Sequence, residues 1–151
     1  MKCRSKLHKL IVLFPYFVIQ ATYATELNHS QVLISAFRDI CLATAPTFEQ
    51  AEAAAKKYGI ESLEKHIVSY SGMTADKRMR MQLKPKRECV ITTENLKDDD
   101  LTSRFISLVS EFSKLPLEQK VPTKAVIGSN NFVVMHDRNG GEAFVILKLD
   151  R

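Results

Sequence analysis

The chain has 151 residues and carries 22 lysines and arginines against 17 acidic residues, which gives a formal net charge of +5. Four of the basic residues precede the first acidic residue, namely Lys2, Arg4, Lys6 and Lys9. Without these four the formal net charge is +1, so the bulk charge gives no reason to expect nucleic acid as a partner. The length fits one domain whose core needs no metal or cofactor to hold it together.

Residues 1–24 have the pattern of a secretory signal peptide. The basic residues are followed by an apolar run over residues 10–19, and small residues up to Ala24 favour cleavage after that position. The run holds about ten apolar residues and contains Pro15, whereas a membrane-spanning helix needs roughly twenty. We therefore predict a mature domain over residues 25–151, periplasmic or secreted, with no transmembrane segment. An uncleaved anchor and a core helix are the alternatives.

The cysteines are consistent with export. The chain has three, of which Cys3 lies in the predicted signal peptide. The other two, Cys41 and Cys89, favour one disulfide, because oxidising compartments form and keep such bonds. The alternative is a reactive thiol, but neither cysteine belongs to a C-x-x-C pair.

Two helices are predicted at the start of the mature domain. Over residues 30–44 apolar side chains recur every three or four positions, which places Cys41 on a buried face. The segment TFEQAEAAAKKYG, residues 47–59, predicts a second helix, with a capping box that starts at Thr47 and a C-terminal stop at Gly59.

The hydrophobic period then changes from 3.6 to 2. Strands are predicted in HIVSYSG, RMRMQL and ECVITTE, the last of which carries Cys89. A third helix follows the aspartates 98–100, and two apolar strands surround Asn139-Gly140, a dipeptide typical of hairpin turns. This order predicts an α+β fold: a mainly antiparallel sheet of five to six strands, three helices packed on one face, and one disulfide.

This organisation resembles a set of small exported bacterial proteins of unknown function. The likeness covers roughly residues 32–112 and implies an exported disulfide domain, with no activity attached. It rests on an F-x-x-x-C-x-x-T helix, an alanine-rich helix that ends in glycine, and a later C-x-V/I strand. Here these motifs are Phe37, Cys41 and Thr44, then Gly59, then Cys89 and Ile91.

The most basic stretch is KRMRMQLKPKREC, residues 77–89. On a strand its methionines and Leu83 would face one side, and basic residues would form a ladder on the other. An exposed ladder could bind an anionic partner such as lipid head groups or an acidic protein. Two other interpretations need no ligand: the charges solvate a strand's outer face, or they pair with acidic residues from Glu88 onward. The candidate binding residues are Lys77, Arg78, Arg80, Lys84, Lys86 and Arg87.

The sequence assigns no catalytic residue, no metal ligand and no cofactor. Three consecutive aspartates cannot all turn towards one ion in regular structure, and they suit a helix N-terminus instead. The pair most like a general base with an orienting acid is His136 and Asp137. A hydrolase built on this pair requires the fold to bring a polar nucleophile or His66 to His136. An ordinary turn histidine is the alternative.

The closing hairpin is apolar on both of its predicted faces. Such strands are usually covered on both sides, yet the helices are predicted on one side only. The other side could be buried in the core, or it could be covered by a partner protein or by a second copy of the chain in a homodimer. The sequence therefore indicates an exported, non-enzymatic binding or accessory protein that engages a protein or an anionic envelope component. The alternative function is a small periplasmic hydrolase that uses His136 and Asp137.

Overall fold

The computed structural model describes residues 29–149, and the predicted signal peptide with its cleavage site lies outside the described residues. Helix α1 covers residues 29–37 of the described range and continues into a π-helical turn, Arg38–Leu42. Helix α2 is Ala51–Lys56 and helix α3 is Leu101–Phe112. None of the described helices is both long and apolar enough to cross a membrane.

Seven strands of the described chain form one antiparallel sheet, in the order β1-β2-β3-β4-β7-β6-β5. The sheet therefore consists of two meanders, β1 to β4 and β5 to β7, which are joined where β4 pairs with β7. The strands are β1 (Glu64–Lys65), β2 (Tyr70–Met73), β3 (Met79–Lys84), β4 (Glu88–Thr93), β5 (Thr123–Ile127), β6 (Asn130–Asp137) and β7 (Glu142–Lys148).

The core lies between the helices and one face of the sheet, here called the inner face. Successive side chains of a strand point to opposite faces, so every second residue of the central strands enters this core. Three rings from separate elements meet there: Phe37 of α1, Phe105 of α3 and Phe144 of β7, with centroids 5.1–5.8 Å apart. The predicted α+β fold, with three helices and an antiparallel sheet, is confirmed.

The number of strands differs from the prediction of five to six. Only the second half of the predicted strand HIVSYSG is strand, because residues 66–69 form the turn between β2 and the short strand β1 that precedes them. The His66 N–H donates to the Ser69 carbonyl at 2.8 Å and closes that turn. Alternation of apolar and polar residues does not reveal where a chain reverses when the turn contains neither Gly, Asn nor Pro. Strand β5, after the proline-containing segment 114–122, precedes the closing hairpin in the chain and adds an edge strand beside β6.

The predicted disulfide is present in the structure. Cys41 and Cys89 are bonded, with their Cα atoms 5.6 Å apart and a sequence separation of 48. Cys41 lies on the π-helical turn that ends α1, and Cys89 lies on β4, the central strand that joins the two meanders. Both side chains are fully buried. The bond thus fastens the first helix to the middle of the sheet.

Helix α2 begins later than the sequence predicts. Phe48 has a φ of 62°, a left-handed conformation that separates Thr47 from the helix, so the capping box does not form. Phe48 is itself buried in the core. The C-terminal stop at Gly59 is confirmed: this residue has a φ of 81°, and the paired hydrogen bonds of a Schellman motif close the helix end.

Candidate functional site

The face of the sheet opposite the helices, here called the outer face, is a candidate binding surface. The strand registers arrange its side chains in rows: Gln82, Val90, Val145 and Met135 stand in one row. Lys84, Glu88, Leu147, Val133 and Lys124 stand in the next row. The middle of both rows is apolar and half-buried. We call this group the apolar strip: Val90, Val133, Met135, Val145 and Leu147.

The closing hairpin has apolar residues on both faces because its outer-face residues belong to the apolar strip and its inner-face residues belong to the core. Its inner-face side chains, such as Phe144 and Ile146, are fully buried under the helices. The outer-face side chains between them, such as Val145 and Leu147, are only half-buried, and their partners in the sheet stand beside them. Core burial therefore accounts for one face of the hairpin and leaves the other face half-exposed.

The six candidate basic residues do not share one surface. Arg80 and Lys84 point outward from β3, whose inward residues are buried, and the first of the two is exposed. Lys77 and Arg78 lie in the turn before β3, whereas Lys86 and Arg87 lie in the turn after it. With about 3.4 Å per residue along an antiparallel strand, the two turns are roughly 20 Å apart.

Acidic neighbours pair with part of this basic group. Lys84 Nζ lies 2.9 Å from Glu88 Oε2 on the adjacent strand, and Arg78 Nε lies 4.0 Å from Asp76 Oδ2. Among the described residues, no ion pair involves Arg80 or Lys124, which border the apolar strip on β3 and β5. The outer face thus combines an apolar middle with positive charge outside ion pairs on β3 and β5, and with one exposed acid, Asp137, at the end of β6.

A cavity of about 200 Å³ lies between α1, the turn from β2 to β3, and the end of β4. Its lining includes Val32, Leu33, Met79 and Leu96, with Arg78 beside them. Ligand sites for drug-sized molecules usually enclose roughly 300–1,000 Å³. The cavity is smaller than that range, so it would not enclose a ligand of that size.

A buried polar network lies under α3, on the inner face. Glu142 of β7 is fully buried, and its Oε2 lies 2.6 Å from His136 Nε2 of β6. Its Oε1 accepts from Arg138 Nε at 3.1 Å and from the Leu96 N–H at 3.4 Å. On the other side of the imidazole, Thr102 Oγ1 of α3 lies 2.9 Å from His136 Nδ1.

Burial lowers the pKa of His136, and the hydrogen bond to Glu142 opposes that shift only in part. A neutral imidazole fits the geometry: Nε2–H donates to the Glu142 carboxylate, and Nδ1 accepts the Thr102 hydroxyl proton. The ring also stacks on Phe144, with centroids 4.6 Å apart and an interplanar angle of 8°. The network therefore holds the start of α3 against the sheet with its polar atoms paired.

The histidine pair considered in the sequence is arranged differently in the fold. Asp137 follows His136 on the strand, so it points to the opposite face, where it is exposed and accepts the Asn139 N–H. The acid that contacts His136 is Glu142. His66 lies on the exposed turn from β1 to β2 and contacts Ser71 at 2.8 Å.

Sequence reasoning missed Glu142, Arg138 and Thr102. For Glu142 a signal exists, because it shares the alternation of Phe144 and Ile146 and so points inward with them. A charged residue at such a position predicts a buried partner. Thr102 carries no comparable signal, because 34 positions separate it from His136.

The aspartates 98–100 precede α3, as predicted, yet the Asp100 side chain does not cap the helix. Asp98 instead pairs with Arg104 of that helix and accepts the Asp100 N–H at 3.1 Å. Within residues 29–149, no three histidine, cysteine or acidic side chains are grouped closely enough to hold a metal ion.

Comparison with protein-family models, with curated proteins and with solved structures found no match to this chain. The resemblance through the F-x-x-x-C-x-x-T helix stays a prediction. Any functional argument therefore starts from the geometry of the described residues.

Proposed function

We propose that the protein is an exported, non-enzymatic binding module that takes an acidic protein partner on the outer face of its sheet. The observation that carries the proposal is the apolar strip, a half-buried group on three adjacent strands that no described helix covers. An apolar middle with a polar border is the usual composition of a protein–protein contact surface.

The charge at the border favours an acidic partner. Arg80 on β3 and Lys124 on β5 flank the apolar strip from two sides, and neither belongs to an ion pair of the described residues. An acidic partner surface would complement both charges, which speeds association and excludes basic partners. Lys84 adds little, because Glu88 already neutralises it.

The exported location rests on two supports. The sequence of residues 1–24 has the pattern of a signal peptide. The buried disulfide between Cys41 and Cys89 suits an oxidising compartment such as the periplasm or the cell exterior.

The proposal is tested by site-specific photo-crosslinking in the envelope fraction of the producing cells. A benzophenone amino acid replaces Val145 in the apolar strip, and the matched control places it at Ser107, an exposed residue of α3 on the other side of the domain. We expect one discrete product from position 145 only. Excess unlabelled protein should suppress it, whereas excess Arg80→Glu/Lys124→Glu protein should not.

Three results would contradict the proposal. The first is the same set of products from positions 145 and 107, and the second is no product from position 145. The third is a product with twice the mass of the chain, together with a concentration-dependent dimer in analytical ultracentrifugation. That third result would assign the outer face to a homodimer through the closing hairpin.

A hydrolase is the second candidate, and one distance favours it: a threonine hydroxyl lies 2.9 Å from His136 Nδ1, with Glu142 on the other nitrogen. In many hydrolases a nucleophile contacts a base and the base contacts an orienting acid, and Thr102, His136 and Glu142 contact one another in this order. The His136 and Glu142 side chains have zero exposure, however, so a substrate would reach only Thr102. A panel of activated esters tests it: the hydrolase hypothesis requires turnover that Thr102→Val abolishes while the fold stays intact.

A further inference from the structure

The turn between β1 and β2 presents two apolar side chains to solvent. Ile67 is 100% exposed and Val68 is 70% exposed. The other exposed large apolar residues within residues 29–149, such as Leu115 at 56%, lie elsewhere in the fold. An isoleucine with complete exposure contacts no other part of the described chain. The fold therefore gains no packing energy from it.

This turn also departs from ordinary turn chemistry. Two residues, Ile67 and Val68, stand between the hydrogen-bonded His66 and Ser69. Turns are usually formed by Gly, Pro, Asn, Asp and Ser, whereas Ile67 and Val68 are apolar. Neither of them has a positive φ, so the turn is not of the Asn-Gly type. A local rule broken without a gain for the folded state is expected at functional sites.

Basic residues surround the turn at the same end of the sheet. Because Tyr70 of β2 stands opposite Leu83 of β3, the turn 66–69 lies beside the turn 85–87 that follows β3. The Lys86 N–H donates to the Thr47 carbonyl at 3.3 Å and the Lys148 N–H to the Arg87 carbonyl at 2.7 Å, so both are fixed at this end.

The charge balance at this end is positive. Lys65, Lys86 and Lys148 are exposed and belong to no ion pair of the described residues. Arg87 adds a further positive charge. The acidic residues nearby are Glu64 on β1, Glu49 near Thr47, and Glu88, which is already paired with Lys84. Among the described residues, the three lysines thus outnumber Glu64 and Glu49, the nearby acids that belong to no ion pair.

We propose that this end of the sheet docks onto a bilayer rich in anionic phospholipid. Ile67 and Val68 enter the boundary between head groups and acyl chains, while Lys65, Lys86 and Lys148 contact the lipid phosphates. Shallow insertion of apolar side chains together with basic residues is the combination that gives reversible membrane attachment. The docking surface is separate from the apolar strip, so either proposal can fail while the other stands.

The chain contains no tryptophan, so a single substitution introduces an emission signal without background. The processed protein is prepared with Ile67→Trp, and Leu115→Trp is the matched control. Leu115 is also exposed but follows Lys114, whose N–H bonds to Val126 on β5, the opposite edge of the sheet from β1. Vesicles contain equal parts of phosphatidylglycerol and phosphatidylcholine, or phosphatidylcholine alone.

We expect the Ile67→Trp emission to shift to shorter wavelength with the anionic vesicles and to be quenched by brominated acyl chains, while Leu115→Trp does neither. In sedimentation with the same vesicles, Ile67→Ser/Val68→Ser should lower the partition coefficient by roughly tenfold or more. Lys65→Glu/Lys86→Glu should also lower it and should weaken its dependence on salt.

The proposal is overturned if the Ile67→Trp emission stays unchanged with anionic vesicles, or if both tryptophan variants respond alike. It is also overturned if the double serine variant sediments with vesicles as well as the parent protein does. Ile67 and Val68 are exposed, so their replacement leaves the core intact, and a urea unfolding curve for each variant verifies this. A turn that crosslinks to a protein and ignores vesicles would assign it to a protein contact instead.

Discussion

Removal of the disulfide is the sharpest test of how the helical layer is held to the sheet. In Cys41→Ala/Cys89→Ala the covalent closure between α1 and β4 is lost, while the side chains stay small and apolar. Both cysteines are fully buried, so alanine leaves no unpaired polar group in the core. Serine would do so, and the serine pair should be less stable than the alanine pair.

The size of the effect follows from the length of the closed loop. For a sequence separation of 48, the chain-entropy relation gives about 4 kcal/mol of stabilisation through the unfolded state. Lost packing around the two sulfur atoms acts in the same direction. Since typical domains have about 5–15 kcal/mol of total stability, the alanine pair should keep only part of the original value.

The assay is equilibrium unfolding in urea at neutral pH, monitored by circular dichroism. With a slope of about 2 kcal/mol per molar, the loss corresponds to a midpoint lowered by about 2 M. The parent protein under reducing conditions keeps both sulfur atoms in the core, so its midpoint should fall by the entropic part alone, about 2 M, and the alanine pair should fall somewhat further. A midpoint within about 0.5 M of the parent, at equal slope, would refute the entropic argument.

Three further predictions concern the polar network and the turn beside it. Glu142→Gln should lower the free energy of unfolding by about 2–4 kcal/mol, because Arg138 and His136 lose a charged partner; urea unfolding measures this. Because burial lowers the pKa of His136, the folded state binds fewer protons than the unfolded state below about pH 6.5. The free energy of unfolding should therefore decrease as the pH is lowered below that value, and His136→Gln should make this decrease less steep. Equal slopes would contradict the burial argument. Gly141→Ala should cost about 2 kcal/mol, since its Cβ would lie 2.7 Å from the Thr93 carbonyl oxygen, whereas Gly140→Ala meets no atom within 4 Å and should cost less.

The disulfide and the inner face of the sheet could be predicted from local pattern. Cys41 and Cys89 are the only cysteines beyond the predicted signal, and Met79, Met81 and Leu83 alternate strictly with polar residues. The first prediction depends only on the number of cysteines, and the second depends only on the alternation of adjacent residues along the chain. The structure confirms both, with these side chains buried.

Other features depend on where the chain reverses, which alternation does not encode. The sequence places the turn at Ile67 in a strand because its residues favour strands. The alternation predicts one ladder of basic residues, yet only Arg80 and Lys84 stand on the outer face of β3. A strand of six residues cannot hold an eleven-residue charge pattern on one surface, so the turns at its ends separate the rest.

The candidate site was predictable only in part. The double-sided apolar character of the closing hairpin indicated a surface that helices on one face could not cover, and the apolar strip is that surface. The polar network was not predictable as a unit, because Thr102 and His136 meet only through the packing of α3 on the sheet.

The place of β7 in the sheet has a consequence for synthesis. It is the last strand of the described chain, yet it lies in the interior between β4 and β6. While the ribosome or an export channel still holds this strand, the two meanders have no backbone hydrogen bonds to each other through the sheet. The sheet can therefore be completed only after β7 emerges, so the chain stays incompletely folded until late in synthesis or export. A chain that is truncated before residue 142 should not form this sheet.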